Sequence, residues 1–140
     1  MRHYLIVGLI GTLAAAALTA EAPAEVPSRF ELGLDCAAAA TVSTMLLKQT
    51  KAPAAMQESY ASTLASVGGM LHDLAPAAGM TDAQVDLEIT RRSNVLVDSL
   101  NATPDDGYQA AVLKQVSLEP DGGMGACTTL LNEVRIEKKP

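Results

Sequence analysis

The sequence contains two cysteines, Cys36 and Cys127, which are separated by most of the chain. A disulfide between them would bring both ends of the folded part side by side, and would exclude every fold that keeps those ends apart. Their wide spacing is unlike the Cys-x-x-Cys pairs of redox enzymes and c-type haem sites. A structural disulfide persists only in an oxidising compartment, so the cellular compartment of the protein decides whether this bond forms.

The N-terminal residues predict export. Arg2 provides a positive start, residues 5–18 are almost entirely apolar, and small residues follow up to Ala20. This is the order of a secretory signal peptide, and its apolar stretch is shorter than the roughly 20 residues that cross a bilayer as a helix. We therefore predict a signal peptide over 1–20 and a periplasmic or secreted bacterial protein. The only membrane contact we expect is an anchor formed by this segment if it stays uncleaved.

Composition limits what the mature domain can bind. The chain has 10 Lys and Arg against 16 Asp and Glu, so its formal charge is −6, and loss of Arg2 makes it −7. An acidic chain without a basic cluster is not expected to bind nucleic acid. Aromatic residues make up 3% of the chain and Trp is absent. The core must therefore be built from Leu, Val, Met and Ala, and it should be thin because alanine buries little area.

The pattern of apolar residues predicts an all-α domain. Apolar positions recur every three or four residues in five segments, and no segment shows the alternation of a strand. We predict a bundle of four to five short helices over 30–134, in which a disulfide links the first helix to the last. A flexible, Pro- and Ala-rich linker is expected over 21–29 and a charged tail over 135–140.

Several local signals suggest where the helices begin and what they bury. Asp35 is predicted to cap a first helix over 35–50, and Thr103 to cap the fourth helix. Thr81 and Gln84 form the Thr-x-x-Gln pattern of a capping box at the third helix. The predicted buried faces contain Cys36, Ala40, Ser43, Leu47, Met56, Tyr60, Val67, Leu71, Val85, Ile89, Leu96, Leu100, Tyr108, Val112, Met124, Cys127 and Leu131. Gly68 and Gly69 interrupt the second helix, where they predict a kink or a close helix contact.

His72 is the only histidine left after cleavage, so most site chemistry would depend on it. A Ser–His–Asp site would have to use His72 with its neighbour Asp73, and a haem would need His72 with Met45, Met56 or Met124. Zinc needs at least three ligands, which oxidised cysteines do not supply. We interpret the histidine as solvated and the methionines as core residues. The sequence therefore predicts no catalytic residue, metal or cofactor.

Arg91 and Arg92 are the candidates for an anion site, because Arg92 falls on the apolar face of the third helix. The cations that would have to join them are Lys48, Lys51 and Lys114. Such a set is similar to that of small exported helical chorismate mutases, whose dianion pocket uses Arg and Lys from several helices. That resemblance implies an alternative function, a small secreted enzyme in which Arg92, Glu88 and Lys48 meet. The favoured interpretation is a solvated arginine pair beside Glu88 and Asp86, worth tenths of a kcal/mol.

The general build resembles two groups of periplasmic proteins. Acid-activated chaperones and immunity proteins against secreted cell-wall amidases both include small, helical, exported chains with a disulfide. This resemblance lies in architecture and in the number of cysteines, so it implies no functional residue. The leading hypothesis is a non-enzymatic binding protein of the periplasm. Its expected partner is another protein that meets an acidic, alanine-rich helical surface.

Overall fold

A computed structural model describes residues 28–138 of the chain, and side chains as far as Arg135. Five helices follow one another within this range. They are α1 (Arg29–Gln49), α2 (Ala54–Leu74), α3 (Asp82–Asn101), α4 (Asp105–Val116) and α5 (Gly125–Lys138). The described residues contain no strand, which confirms the all-α prediction. The predicted signal peptide and residues 21–27 of the predicted linker lie outside the described range.

The central helix is α1, which packs against all four others, whereas α2 and α3 touch each other at few points. More than half of its residues are buried, including the alanines at 37–40. Small side chains there let the surrounding helices approach closely. By length and composition alone α1 could cross a membrane, but 67% of its apolar window is buried inside the domain. Its apolar character is therefore explained by its place in the core.

Helix α1 begins six residues before the predicted start at Asp35. The Oγ atom of Ser28 accepts a hydrogen bond from the backbone N–H of Glu31 at 3.2 Å, so Ser28 is the cap and the prediction of Asp35 was wrong. Gly33 lies inside this early part of the helix, where a Cβ atom would come 2.8 Å from Cδ2 of Leu71. The close approach of α2 offsets the helix propensity that glycine lacks, about 1 kcal/mol.

Helix α2 runs without interruption through Gly68 and Gly69. A Cβ atom at either position would meet nothing within 4 Å, so the expected close helix contact does not occur there. It occurs at Gly33 instead. The predicted buried stripe of α2 is confirmed in its central part, at Tyr60, Val67 and Leu71.

The two predicted caps on the later helices have different outcomes. The capping box at α3 is confirmed, because Thr81 Oγ1 accepts from the N–H of Gln84 and Gln84 Oε1 accepts from the N–H of Thr81. The prediction that Thr103 caps α4 was wrong. Its hydroxyl donates to the carbonyl of Ser99 at 3.1 Å, and Pro104 occupies the cap position without a side-chain bond.

The C-terminal end of α4 is held by side chains from distant helices. Ser43 Oγ donates to the carbonyl of Gln115 at 3.2 Å, and Tyr60 Oη donates to the carbonyl of Val116 at 2.5 Å. Helix ends leave carbonyls without partners inside the helix, so these bonds satisfy groups that would otherwise be unpaired. The following turn packs so closely that a Cβ atom on Gly123 would overlap the backbone of Gln115.

A disulfide joins Cys36 of α1 to Cys127 of α5, which confirms the predicted link between the first and last helices. Both residues are at most 1% exposed. They lie in the main core, whose other large members are Leu34, Leu47, Tyr60, Val67, Leu71, Val85, Met124 and Leu130. A second, smaller cluster joins α1, α3 and α4 through Val42, Leu46 and Leu100.

Four of the residues predicted to be buried are instead exposed over more than a third of their surface. In α5 the buried residue is Leu130, whereas Leu131 is 45% exposed. Met45 and Met56 are 39% and 38% exposed, so the expectation that every methionine belongs to the core was wrong. Tyr108 is also exposed. Each of these residues has the right helical spacing, but no neighbouring helix covers its face.

Candidate functional site

The most highly charged site is the Arg92 cluster, formed by Glu31, Asp35, Glu88, Arg91 and Arg92. Every guanidinium nitrogen of Arg92 donates to a carboxylate: Nη2 to Glu31 at 2.7 Å, Nη1 to Asp35 at 2.7 Å and Nε to Glu88 at 2.9 Å. Glu31 and Asp35 lie one turn apart on α1, and the others lie on α3. The cluster therefore ties the start of α1 to the middle of α3.

Arg91 has a simpler environment than Arg92. Its Nε and Nη2 atoms donate to the two oxygens of Glu88 at 3.0 and 2.7 Å, and its side chain is 63% exposed, against 20% for Arg92. The predicted position of both arginines beside Glu88 is confirmed, but the interpretation of a solvated pair was wrong for Arg92, whose side chain is enclosed by three carboxylates. Asp86 does not join them, because it pairs with His72.

The cluster is acidic as a whole, since three carboxylates face two guanidinium groups. Hydrogen bonds from Arg91 and Arg92 lower the pKa of Glu88 to about 2. Partial burial acts to lower the pKa of Arg92, but its bonds to Glu31, Glu88 and Asp35 outweigh this and raise that pKa. An incoming anion would have to displace a carboxylate from Arg92, so the electrostatics favour a structural clamp.

A groove of about 370 Å³ lies beside the cluster, between α3 and the start of α5. It contains the charged groups of Asp35, Arg91 and Arg92 above a floor of small α1 residues. None of Lys48, Lys51 and Lys114 lines it. Lys48 lies in the last turn of α1, about 25 Å along the helix from Glu31. The structure does not bring together the residues that the chorismate-mutase resemblance requires.

Arg92→Met is expected to lower the free energy of unfolding by about 1–2 kcal/mol at pH 7, because it removes the guanidinium that three carboxylates share; Glu31 and Asp35 are exposed and Glu88 is partly buried. The Glu88 part of this effect is present above its unfolded pKa of 4.5 and is lost as pH falls towards about 2. Urea unfolding measures the loss of stability at pH 7 and its decrease at pH 2.5. Arg91→Met is the control, and its urea midpoint should fall less than that of Arg92→Met, because Arg91 is exposed and its carboxylate partner in the cluster is Glu88 alone. Equal losses for the two variants would contradict the prediction.

His72 lies at the surface between α2 and α3. Its Nε2 atom is 3.1 Å from Oδ1 of Asp86. The histidine therefore pairs with Asp86 and not with its sequence neighbour Asp73. The nearby hydroxyls of Thr90 and Ser93 each donate to a backbone carbonyl one turn earlier in α3. Within the described residues, the His72–Asp86 pair is therefore not joined to a hydroxyl nucleophile. That part of the chain also contains no group of three His, Cys, Asp or Glu able to hold a metal.

An apolar groove of about 550 Å³ extends from the His72–Asp86 pair along the outer side of α1. We call it the α2–α3 groove. Its floor and walls are formed by Thr41, Val42, Met45, Leu64, Gly68, Ile89, Thr90, Ser93, Asn94 and Val97. The groove exists because α2 and α3 both pack on α1 but diverge from each other. Sequence reasoning missed the groove, since Gly68 was expected to mark a kink or a close helix contact and instead lines open space.

Further apolar side chains are exposed outside this groove. Leu87 and Val95 on α3 are 71% and 57% exposed, and Leu113 on α4 is 69% exposed. Single exposed leucines are common on soluble proteins, but these three lie on a body that already carries an open apolar groove.

Comparison with known proteins adds no further assignment. No protein-family model matches this chain, and neither a curated protein nor a solved structure matches it.

Proposed function

We propose that this chain is a small exported protein of the periplasm that binds another protein and has no catalytic activity of its own. The observation that carries the proposal is the combination of an open apolar groove with exposed Leu87 and Leu113 on a disulfide-bonded body. Apolar surface of this kind is typical of protein interaction sites. A buried disulfide supports an oxidising compartment, as the N-terminal pattern predicts.

The form of binding that the structure supports best is a stoichiometric complex, as in an immunity protein. An acid-activated chaperone opens as its carboxylates are protonated at low pH, and the Arg92 cluster opposes this opening until the pH approaches the pKa of Glu88. The pKa of Glu88 lies near 2, so its pairing with Arg91 and Arg92 persists through mildly acidic pH. The disulfide between α1 and α5 also limits opening. Nothing in residues 28–138 favours the enzyme alternative, because Arg92 is already paired with three carboxylates.

The test is site-specific photo-crosslinking in the bacterium of origin, in which the full chain is produced with its own predicted signal peptide. A crosslinker replaces Leu87 or Leu113 in turn, and exposed Glu58 is the control position. We expect one partner of constant mass from one or both apolar positions and none from Glu58. Purification should then recover a one-to-one complex. Absence of any crosslinked protein from both apolar positions would overturn the proposal, and a mature N-terminus at Met1 would overturn cleavage of the signal peptide.

A further inference from the structure

We propose that the α2–α3 groove is the docking site for an amphipathic helix of the partner protein, with a Lys or Arg of that helix beside Asp86. The inference rests on the proposed function, because it names the part of the partner that is recognised. Helix-in-groove docking uses apolar anchors at positions i, i+3, i+4 and i+7 of the incoming helix. The dimensions, openness and charge of the groove each favour this occupant.

The length of the groove matches a short helix. On α2 its lining extends from Leu64 to His72, about 12 Å, and on α3 from Asp86 to Val97, about 16 Å. The anchors of a helix that spans i to i+7 occupy about 10 Å. Two to three helical turns therefore fit along α1 without passing the His72–Asp86 pair.

The groove is closed on three sides and open on the fourth. Val42 forms part of the floor, while Thr41, Thr90 and Asn94 stand exposed along the rim. An occupant therefore keeps one side in water, which suits a helix with one apolar and one polar face. A small ligand is usually covered over most of its surface, which this open groove does not provide.

The charge of the lining selects the sign of the occupant. Asp86 is the one carboxylate among the lining residues, its side chain is 67% exposed, and its partner there is His72. The lining contains no Lys or Arg. A cation at this end is attracted by Asp86, whereas a carboxylate would face a like charge. The complementary helix is therefore basic on the flank of its apolar stripe.

Two adjacent glycines provide a matched pair of variants. A side chain at Gly68 would extend into the groove, and a Cβ atom there meets nothing within 4 Å. Gly69 has the same open space but is exposed outside the groove lining. Gly68→Leu therefore fills the groove without disturbing the core, and Gly69→Leu makes the same chemical change elsewhere. Both changes raise helix propensity, so both variants should fold.

The probes are two synthetic helical peptides of about 15 residues, acetylated and amidated at their ends, with leucines at i, i+3, i+4 and i+7. One carries lysines beside the leucine stripe, and the other carries glutamates there. Titration calorimetry with the full mature chain should show one-to-one binding of the lysine peptide. Gly68→Leu should weaken it about tenfold or more, and Gly69→Leu should leave it unchanged. Asp86→Asn should reduce the preference for lysine over glutamate, and Asp98→Asn, outside the groove, should not.

Failure of this proposal can be separated from failure of the proposed function. Lack of saturable binding by the lysine peptide, or equal binding by Gly68→Leu, overturns helix docking in the groove. Binding of decyltrimethylammonium below its micelle concentration without binding of the peptide also overturns it, in favour of a small amphiphile site. If crosslinking from Leu87 or Leu113 in cells persists in Gly68→Leu, the partner binds elsewhere and the proposed function stands. If wild type forms no complex at all, the proposed function itself fails.

Discussion

Replacing both cysteines by alanine is expected to lower the free energy of unfolding by about 4–5 kcal/mol. The bond between Cys36 and Cys127 spans 91 positions, so it removes many conformations from the unfolded chain. A loss of this size is close to the entire net stability of many small domains. The double variant Cys36→Ala/Cys127→Ala should therefore be partly unfolded at 37 °C, or unfold at low urea concentration.

Urea unfolding of the oxidised wild type, the reduced wild type and the double alanine variant checks this result. The reduced wild type controls for the alanine substitutions, because it lacks the bond and keeps both side chains. Since both cysteines are at most 1% exposed, a thiol reductant should reduce the disulfide slowly in the native protein and fast in urea. A loss below about 1 kcal/mol in both bond-free proteins would contradict the prediction.

Leu71→Ala is expected to lower the free energy of unfolding by about 2–5 kcal/mol. Leu71 is fully buried at 0% exposure, in the main core beside Gly33. Truncation removes apolar contacts and leaves a cavity between α1 and α2, where the backbones are already close and cannot collapse further. The main helix contact of the domain is therefore weakened.

The matched control for this truncation is Leu87→Ala, since Leu87 is 71% exposed on α3. It should change stability by no more than about 0.5 kcal/mol. Thermal and urea unfolding of the two variants and wild type supply the comparison. Similar losses for Leu71→Ala and Leu87→Ala would show that α2 does not pack as described. Leu87→Ala is also useful for the proposed function, because it trims an exposed apolar side chain without affecting the core.

Local signals predicted local structure well. The capping box of Thr81 and Gln84 is confirmed, because its two bonds lie within one turn and need nothing from the rest of the fold. The start of α1 was predicted at the wrong residue, because Asp35 has the right residue type for a cap but lies inside the helix. There its carboxylate accepts a hydrogen bond from Arg92. A cap residue competes among several neighbours of similar type, and the tertiary partners decide between them.

The charged sites show the same division. Glu88 pairs with Arg91 and Arg92 at spacings of three and four on one helix, which the sequence displays directly. Glu31 and Asp35 reach Arg92 from 61 and 57 positions away, and no sequence pattern marks them. Their contact depends on α1 and α3 packing side by side. Only the folded structure therefore shows that the candidate anion site is a clamp between these two helices.

By itself, the sequence determined that this protein is all-α, with its first and last helices joined through Cys36 and Cys127. Those features follow from helical periodicity and from having only two cysteines, so they need no knowledge of packing. Only the tertiary structure decided that α1 is central, that Arg92 is saturated by carboxylates, and that α2 and α3 diverge to leave a groove. Helix arrangement depends on which apolar faces meet across long separations, and periodicity shows only that each helix has such a face.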